Sequence, residues 1–237
     1  MENPFIREEM ALGSGALEKL KASHVAVFGI GGVGSYVAEA LARAGVGALT
    51  LVDNDTVGLS NLNRQLCALH STLGQPKAEV MARRVLDINP ECRVNPMVRL
   101  YNEEVKEDFF SLGFDYIADC IDLVSCKLSL IQTAKERGIP IISALGTGNK
   151  LDPTAFQVTD ISKTTGCGLA RVVRRELRNR DIRHHKVVFS PEEPLTPIAM
   201  EAPPPGRRTV PASVSWVPSV AGLTLAGAII RDLTEGL

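Results

Sequence analysis

His24-Val-Ala-Val-Phe28-Gly29-Ile30-Gly31-Gly32-Val33-Gly34-Ser35 decides the fold. Five residues of strand character run into Gly29-x-Gly31-x-x-Gly34. A helical pattern then begins at Ser35 and continues to Ala44, with Val37, Ala40, Leu41 and Ala44 on one face. Each glycine has its own reason. The first permits a tight turn, the second lets backbone N–H groups approach a phosphate, and the third lets helix pack on strand. The helix N-terminus adds partial positive charge for an anion. The motif alone is weak, but between a strand and a helix it marks a nucleotide site. Asp53 ends the next strand, Ala48 to Val52, where a carboxylate can hold ribose hydroxyls. So far NAD fits as well as ATP.

Outward from this turn, apolar runs alternate with helical patterns, the signature of a parallel sheet with crossover helices. Pro76 opens a helix that runs from Lys77 to Ile88, and Asn89-Pro90 stops it. Strands are expected at Arg93 to Leu100, Tyr116 to Cys120 and Ile139 to Ser143. Helices are expected at Glu103 to Ser111 and Cys126 to Arg137, with Gly138 at the C-cap. After Gly146 the character changes. Gly168 to Asn179 reads as a basic amphipathic helix and Lys186 to Phe189 as a short strand. Pro191 to Pro211 holds half of the chain's 14 prolines and reads as a long loop crossing the site or a dimer interface. The predicted fold is α/β: one domain with a Rossmann-like, mostly parallel sheet flanked by helices, a C-terminal extension and a crossover loop. Residues 1–146 form the ATP-binding part and 147–237 the substrate-facing extension.

Composition narrows the function classes. The 237 residues are 45% hydrophobic and 22% charged, so a packed core is expected. The formal net charge of -1 gives no global field toward nucleic acid, and any such site must be a local patch. The five cysteines form no C-x-x-C pair, so no zinc site is expected, and they read as reduced thiols of a cytoplasmic protein. Met1 to Glu9 carries acids and no apolar core, unlike a signal peptide. Val214 to Ile230 is apolar but shorter than a bilayer span and interrupted by Pro218 and Gly222. It reads as a buried helix, with peripheral membrane association as the alternative to that burial.

Three polar clusters separate ATP from NAD. Asp53-Asn54-Asp55 is followed by Ser60-Asn61-Leu62-Asn63-Arg64-Gln65, then by Gly74-Gln75-Pro76-Lys77. An arginine and a lysine aimed back at the phosphates serve a reaction that expels pyrophosphate, because charge builds on the leaving group. Asp119-Cys120-Ile121-Asp122 ends another strand at the carboxyl edge, beside the ligand crevice. Asp122 is the candidate magnesium ligand, and Asp119 is the candidate structural hydrogen-bonder.

Gly29-Ile-Gly-Gly-Val-Gly-Ser35, Asp53-Asn-Asp55, Asn61-Leu-Asn-Arg-Gln65, Lys77 and Asp122 together resemble the ubiquitin-activating-enzyme superfamily, which includes the adenylating enzymes of sulfur-carrier proteins. The resemblance implies a nucleotide site of Gly29, Gly31, Gly32, Gly34, Asp53, Asp55, Asn61, Arg64, Gln65, Lys77 and Asp122. In it Asp53 holds the ribose, Arg64 and Lys77 act on the phosphates, and Asp122 serves Mg2+. It also implies a homodimer whose partner lends an N-terminal arginine, for which Arg7 is the candidate. Over nearly the whole chain the sequence is similar to the tRNA threonylcarbamoyladenosine dehydratases. The matching stretches include Asp87-Ile-Asn-Pro-Glu-Cys-Arg93, Asp152-Pro153, Gln157-Val-Thr-Asp-Ile161, Phe189-Ser190 and Pro211 to Ala221.

That similarity implies an enzyme that adenylates the carboxylate of threonylcarbamoyladenosine at position 37 of tRNA and closes it to the cyclic base. Three alternatives stay open: adenylation of a sulfur-carrier protein, an NAD-dependent oxidoreductase, and a non-catalytic nucleotide-binding scaffold. Arg171, Arg174, Arg175 and Arg178, opposite Leu169, Val172, Val173 and Leu177, are the candidate tRNA-binding face. Whether Cys167 is reactive, whether His184-His185 faces phosphate, and whether a monovalent cation or a sulfur-relay protein binds all stay open.

Overall fold

Strand β1 (His24–Phe28) lies in the middle of a seven-stranded sheet of order β3-β2-β1-β4-β5-β7-β6. The computed structural model describes residues 3–200 and 210–236. β2 (Ala48–Val52), β4 (Tyr116–Asp119) and β5 (Ile141–Ala144) are buried at every position. This is what parallel strands covered on both faces require. β1 feeds both layers of core. Val25 and Val27 point to one cluster and Ala26 and Phe28 to the other, following the two-residue strand period.

On the first face lie α3 (Gly34–Arg43), α4 (Lys77–Ile88) and α8 (Trp216–Leu233). On the second lie α5 (Lys106–Phe110), α6 (Val124–Glu136) and α7 (Gly168–Arg178). The apolar C-terminal helix is therefore a core helix, and it crosses α3 closely. A Cβ on Gly222 would stand 2.5 Å from the Val33 carbonyl oxygen. Among the described residues no helix is long and apolar enough to cross a membrane.

The sequence expectations hold for the central elements and drift at the edges. β3 (Arg93–Met97) ends three residues before the predicted Leu100. It is an outer strand carrying Pro96, which a strand tolerates only at an edge. The predicted helix at Glu103 to Ser111 shrinks to α5, and Pro76 is the N-cap of α4 rather than its first residue. Two helices before β1, α1 (Ile6–Leu12) and α2 (Ser14–Ala22), were not expected. Nor was β6 (Gln157–Asp160), which pairs antiparallel with β7 (Lys186–Phe189) and closes the far edge. Its four residues are mostly polar and carry no apolar alternation.

Of the proline-rich loop, residues 191–200 contain neither helix nor strand, and 201–209 lie outside the described residues. The loop leaves and returns beside Asn149. Leu195 N–H donates to the Asn149 carbonyl at 2.8 Å. Ala212 pairs with Asn149 twice, its N–H donating to Oδ1 at 2.7 Å and its carbonyl accepting from the backbone N–H at 2.8 Å.

Candidate active site

The carboxyl ends of β1, β2, β4 and β5 open on one crevice of about 970 Å³. It straddles the point where strand order reverses between β1 and β4, the usual ligand position in such sheets. The Gly29 to Gly34 turn forms its floor. Gly34 must be glycine, because a Cβ there would lie 1.8 Å from the Gly29 carbonyl oxygen. At Gly31 the space is open, with only Gln65 Nε2 at 3.9 Å. The turn thus packs tightly on the sheet side and exposes backbone on the crevice side.

Asp53 braces this turn. Its Oδ2 accepts from Ile30 N–H at 2.6 Å and its Oδ1 from Asp55 N–H at 2.8 Å. Burial lifts its carboxyl above the usual aspartate range, against the pull of these bonds and of Lys77. Lys77, the first residue of α4, is buried and pairs with the exposed Asp55 at 2.8 Å. Arg64 is partly buried, and desolvation lowers its pKa. Its Nη1 donates to the Ser60 carbonyl at 2.6 Å and to Asn63 Oδ1 at 3.0 Å. It makes no ion pair among the described residues. Asn61 Oδ1 accepts from Gly58 N–H at 3.0 Å and shapes the loop that carries Arg64. Gln65 is buried beneath Gly31, and Asp122 is exposed on the opposite wall. The crevice therefore gathers Gly29, Gly31, Gly32, Asp53, Asp55, Asn61, Arg64, Gln65, Lys77 and Asp122, with Gly34 holding the turn from below.

Asp119 does not enter the crevice. It is fully buried, with Oδ2 accepting from Lys127 Nζ at 2.7 Å and Ser143 Oγ at 2.5 Å, and Oδ1 from Ile121 N–H at 3.1 Å. Lys127 also donates to the Ala144 carbonyl at 3.1 Å. A buried ion pair thereby ties the ends of β4 and β5 together and fixes the turn that leads to Asp122. Charges so deeply buried persist only when paired and hydrogen-bonded.

The far arm of the crevice is lined by Gly146, Thr147, Gly148, Leu169, Pro211, Ala212 and Ser213. Among the described residues from 144 onward, no charged side chain lines it. This arm was not legible in sequence, because its walls come from segments distant in the chain.

Other candidates move. Arg7 is exposed on α1, outside the crevice of its own chain. On α7 the buried stripe is Ala170, Val173 and Leu177, rotated from the predicted one. Arg171, Arg175 and Arg178 stay exposed, but Arg174 does not belong with them. It is drawn inward, and its Nη1 donates to Thr164 at the carbonyl (2.7 Å) and at Oγ1 (2.6 Å). Arg175 also pairs with Glu176. Cys167 is buried, caps α7 by accepting from Ala170 N–H, and abuts Gly146. Its place is structural. His184 is exposed beside Asp160, whereas His185 is buried with Nε2 2.7 Å from Ser143 Oγ.

A glycine turn backed by an aspartate, with an arginine, a lysine and a carboxylate facing it, is the site of an adenylate-forming enzyme. The ThiF family profile matches residues 6–235, and the chain belongs to the ThiF family. It is 46% identical to the tRNA threonylcarbamoyladenosine dehydratase of Bacillus subtilis, over all of this chain and 97% of that protein. The crystal structure of the Escherichia coli tRNA N6-threonylcarbamoyladenosine dehydratase in complex with ATP superposes with a TM-score of 0.87 at 35% identity, covering 97% of this chain and 93% of the other. The molybdopterin-synthase adenylyltransferase of Haemophilus influenzae is 38% identical, but over only 53% of this chain and 51% of its own.

Proposed function

We propose that the chain is an ATP-dependent dehydratase that converts threonylcarbamoyladenosine at position 37 of tRNA to its cyclic form. The observation that carries this is the convergence of Arg64 and Lys77 on the glycine turn, in a chain similar to a named dehydratase from end to end. A carboxylate oxygen leaves poorly, and an adenylate leaves well. The substrate carboxylate attacks the α-phosphorus of ATP, and the bond to pyrophosphate breaks. Arg64 and Lys77 stabilise the charge that builds on the departing group. The side-chain nitrogen then attacks the acyl carbon and loses its proton, AMP departs, and water has been removed overall.

Asp53 orients the ribose while its bonds to Ile30 and Asp55 keep the glycine turn in shape. Asp122 would hold Mg2+, and the site fits this ion, which usually takes one or two carboxylates plus substrate phosphates. The ion would neutralise phosphate charge. Lys127 and Asp119 stay outside the chemistry and hold the crevice walls.

Residues 1–146 serve the nucleotide and 147–237 the tRNA, within one cytoplasmic domain. Leu169 lines the far arm in the first turn of α7, so Arg171, Arg175 and Arg178 continue from the crevice mouth along one helix. That is where the phosphates of a tRNA whose base enters the arm would meet cations. A homodimer would let Arg7 act in the partner's crevice, since it cannot serve its own.

Nucleoside mass spectrometry of tRNA incubated with the protein and ATP is the test. The cyclic base, with stoichiometric AMP and pyrophosphate, is expected. Unchanged threonylcarbamoyladenosine with intact ATP turns the reading aside. Exchange that instead depends on a small carrier protein would favour the adenylyltransferases.

A further inference from the structure

Asn63 sits on the exposed rim of the crevice, next to Arg64. Its side-chain amide faces two ways. Oδ1 accepts from Arg64 Nη1 at 3.0 Å, and Nδ2 donates to the Ser213 carbonyl at 2.9 Å. An amide can do both at once, because its oxygen only accepts and its nitrogen only donates. Asn63 therefore touches a phosphate-facing cation and a segment 150 residues away in sequence.

That segment, Pro211 to Ser213, lines the far arm. It has two tethers. Asn149 holds it from the far side through the paired bonds to Ala212, with Asn149 itself at φ 60°, a conformation that asparagine tolerates better than most residues. Asn63 holds it from the nucleotide side. Three residues on, Trp216 Nε1 donates to the Leu151 carbonyl at 2.8 Å, so the chain's single tryptophan reports on the same strap.

Among the described residues, Arg64 Nη1 is engaged only by neutral oxygens, those of Ser60 and Asn63. A triphosphate in the crevice is a charged acceptor and competes for that nitrogen, because an anionic phosphate adds ion-pair attraction and bidentate geometry that a neutral oxygen does not offer the guanidinium. When the guanidinium turns to phosphate, Asn63 loses one of its two partners, and its hold on Ser213 is reset.

We infer that Asn63 is a positioning residue that couples nucleotide occupancy to the position of the Pro211 to Ser213 wall, so that ATP and the second substrate influence each other through one amide. Such coupling is reciprocal by thermodynamic necessity. The part that names tRNA as second substrate rests on the proposed function.

The experiment follows Trp216 emission in the full chain as ATP and Mg2+ are added, in the wild type and in Asn63→Ala. The wild type is expected to shift. The variant is expected to lose the shift while calorimetry still finds ATP bound, within roughly ten-fold of wild-type affinity, the net worth of one hydrogen bond. In turnover the variant's KM for tRNA is expected to rise more than its kcat falls. Asn63 is exposed, so truncation leaves the core untouched, and Asn63→Ser serves as a second, milder variant. A tryptophan silent to ATP in the wild type overturns the inference, as does a shift that survives in the variants. Outright loss of ATP binding also overturns it, since Asn63 would then hold phosphate directly. The tryptophan measurement uses no tRNA, so an error in the substrate leaves it standing.

Discussion

Lys77 reaches back from the first turn of α4 to Asp55, Nζ to Oδ2 at 2.8 Å, with the lysine buried and the carboxylate exposed. The pair is lopsided. Asp55 keeps its solvation, while the ammonium is walled in and aimed at the crevice. Lys77→Met keeps most of the stem's packing and removes the charge. Turnover is expected to fall about 10²- to 10³-fold, the usual effect of deleting one preorganised donor to developing charge. AMP release at saturating ATP measures it, and a loss under three-fold (about 0.6 kcal/mol) removes Lys77 from the chemistry.

Arg64→Ala is expected to abolish AMP release with the fold intact. Among the described residues the guanidinium bonds only to loop oxygens, at Ser60 and Asn63, and supports no core packing, so its loss is expected to leave the melting temperature nearly unchanged. Calorimetric melting beside the activity assay separates the two effects. A protein that melts early would make Arg64 a structural residue instead.

The two glycines of the turn should fail differently. Gly34→Ala places a methyl 1.8 Å from the Gly29 carbonyl oxygen, where backbone must move, so the protein is expected to fold poorly or melt far lower. Gly31→Ala meets nothing closer than 3.9 Å and should fold normally, yet its methyl stands where phosphate must approach. Melting temperature and ATP affinity for both proteins settle it. Normal ATP binding by Gly31→Ala would contradict the placement of the phosphates.

Acid sensitivity should trace to His185. Ser143 Oγ donates to Asp119, so His185 Nε2–H donates to Ser143 and Nδ1 is left a buried acceptor without a partner among the described residues. Burial, with Lys135 and Lys127 nearby, pushes this imidazole down to about 3 from 6.5. Below pH 6.5 the unfolded chain takes up a proton that the folded chain refuses. Stability therefore falls as pH drops toward 3, by at most about 1.4 kcal/mol per pH unit for one group. Glutamine keeps a donor for Ser143 and does not titrate. His185→Gln is expected to be less stable at pH 7.5, with the gap narrowing by pH 5. A gap that stays constant in urea denaturation would assign the acid sensitivity elsewhere.

On α7, charge reversal at Arg171 and Arg178 is expected to weaken tRNA binding uniformly and to reduce the salt slope by about one per lost phosphate contact. Arg174→Glu is expected to act on stability instead, since it severs the bonds to Thr164. Filter binding across a salt series, with melting curves, tests both. Unchanged binding in the double reversal would retire this helix as the tRNA face.

The nucleotide half was legible because its parts are local. Gly29 to Gly34, Asp53 and Asp122 sit at or just beyond strand ends that the apolar pattern already marks, and Arg64 and Lys77 lie in the polar clusters of the one connection that follows β2. The far arm was not, because Asn63 meets Ser213 and Asn149 meets Ala212 only after the chain has folded. Polarity misled at Arg174. Four arginines at helical spacing suggested one solvated face, but the helix buries Ala170, Val173 and Leu177, and Arg174 borders that stripe. β6 escaped because an outer antiparallel strand of Gln, Val, Thr and Asp needs no apolar run.

The crevice has two banks of different ancestry in the chain. One, from the glycine turn to Asp122, carries Arg64, Lys77 and the carboxylates proposed to handle the nucleotide. The other, Gly146 to Gly148 with Leu169 and Pro211 to Ser213, supplies only small or uncharged side chains among the described residues. Power supply and tool head are thus separate parts on one chassis. A lineage could change clients by redrawing the second bank, its loop and α7, while the engine that splits ATP passed on untouched.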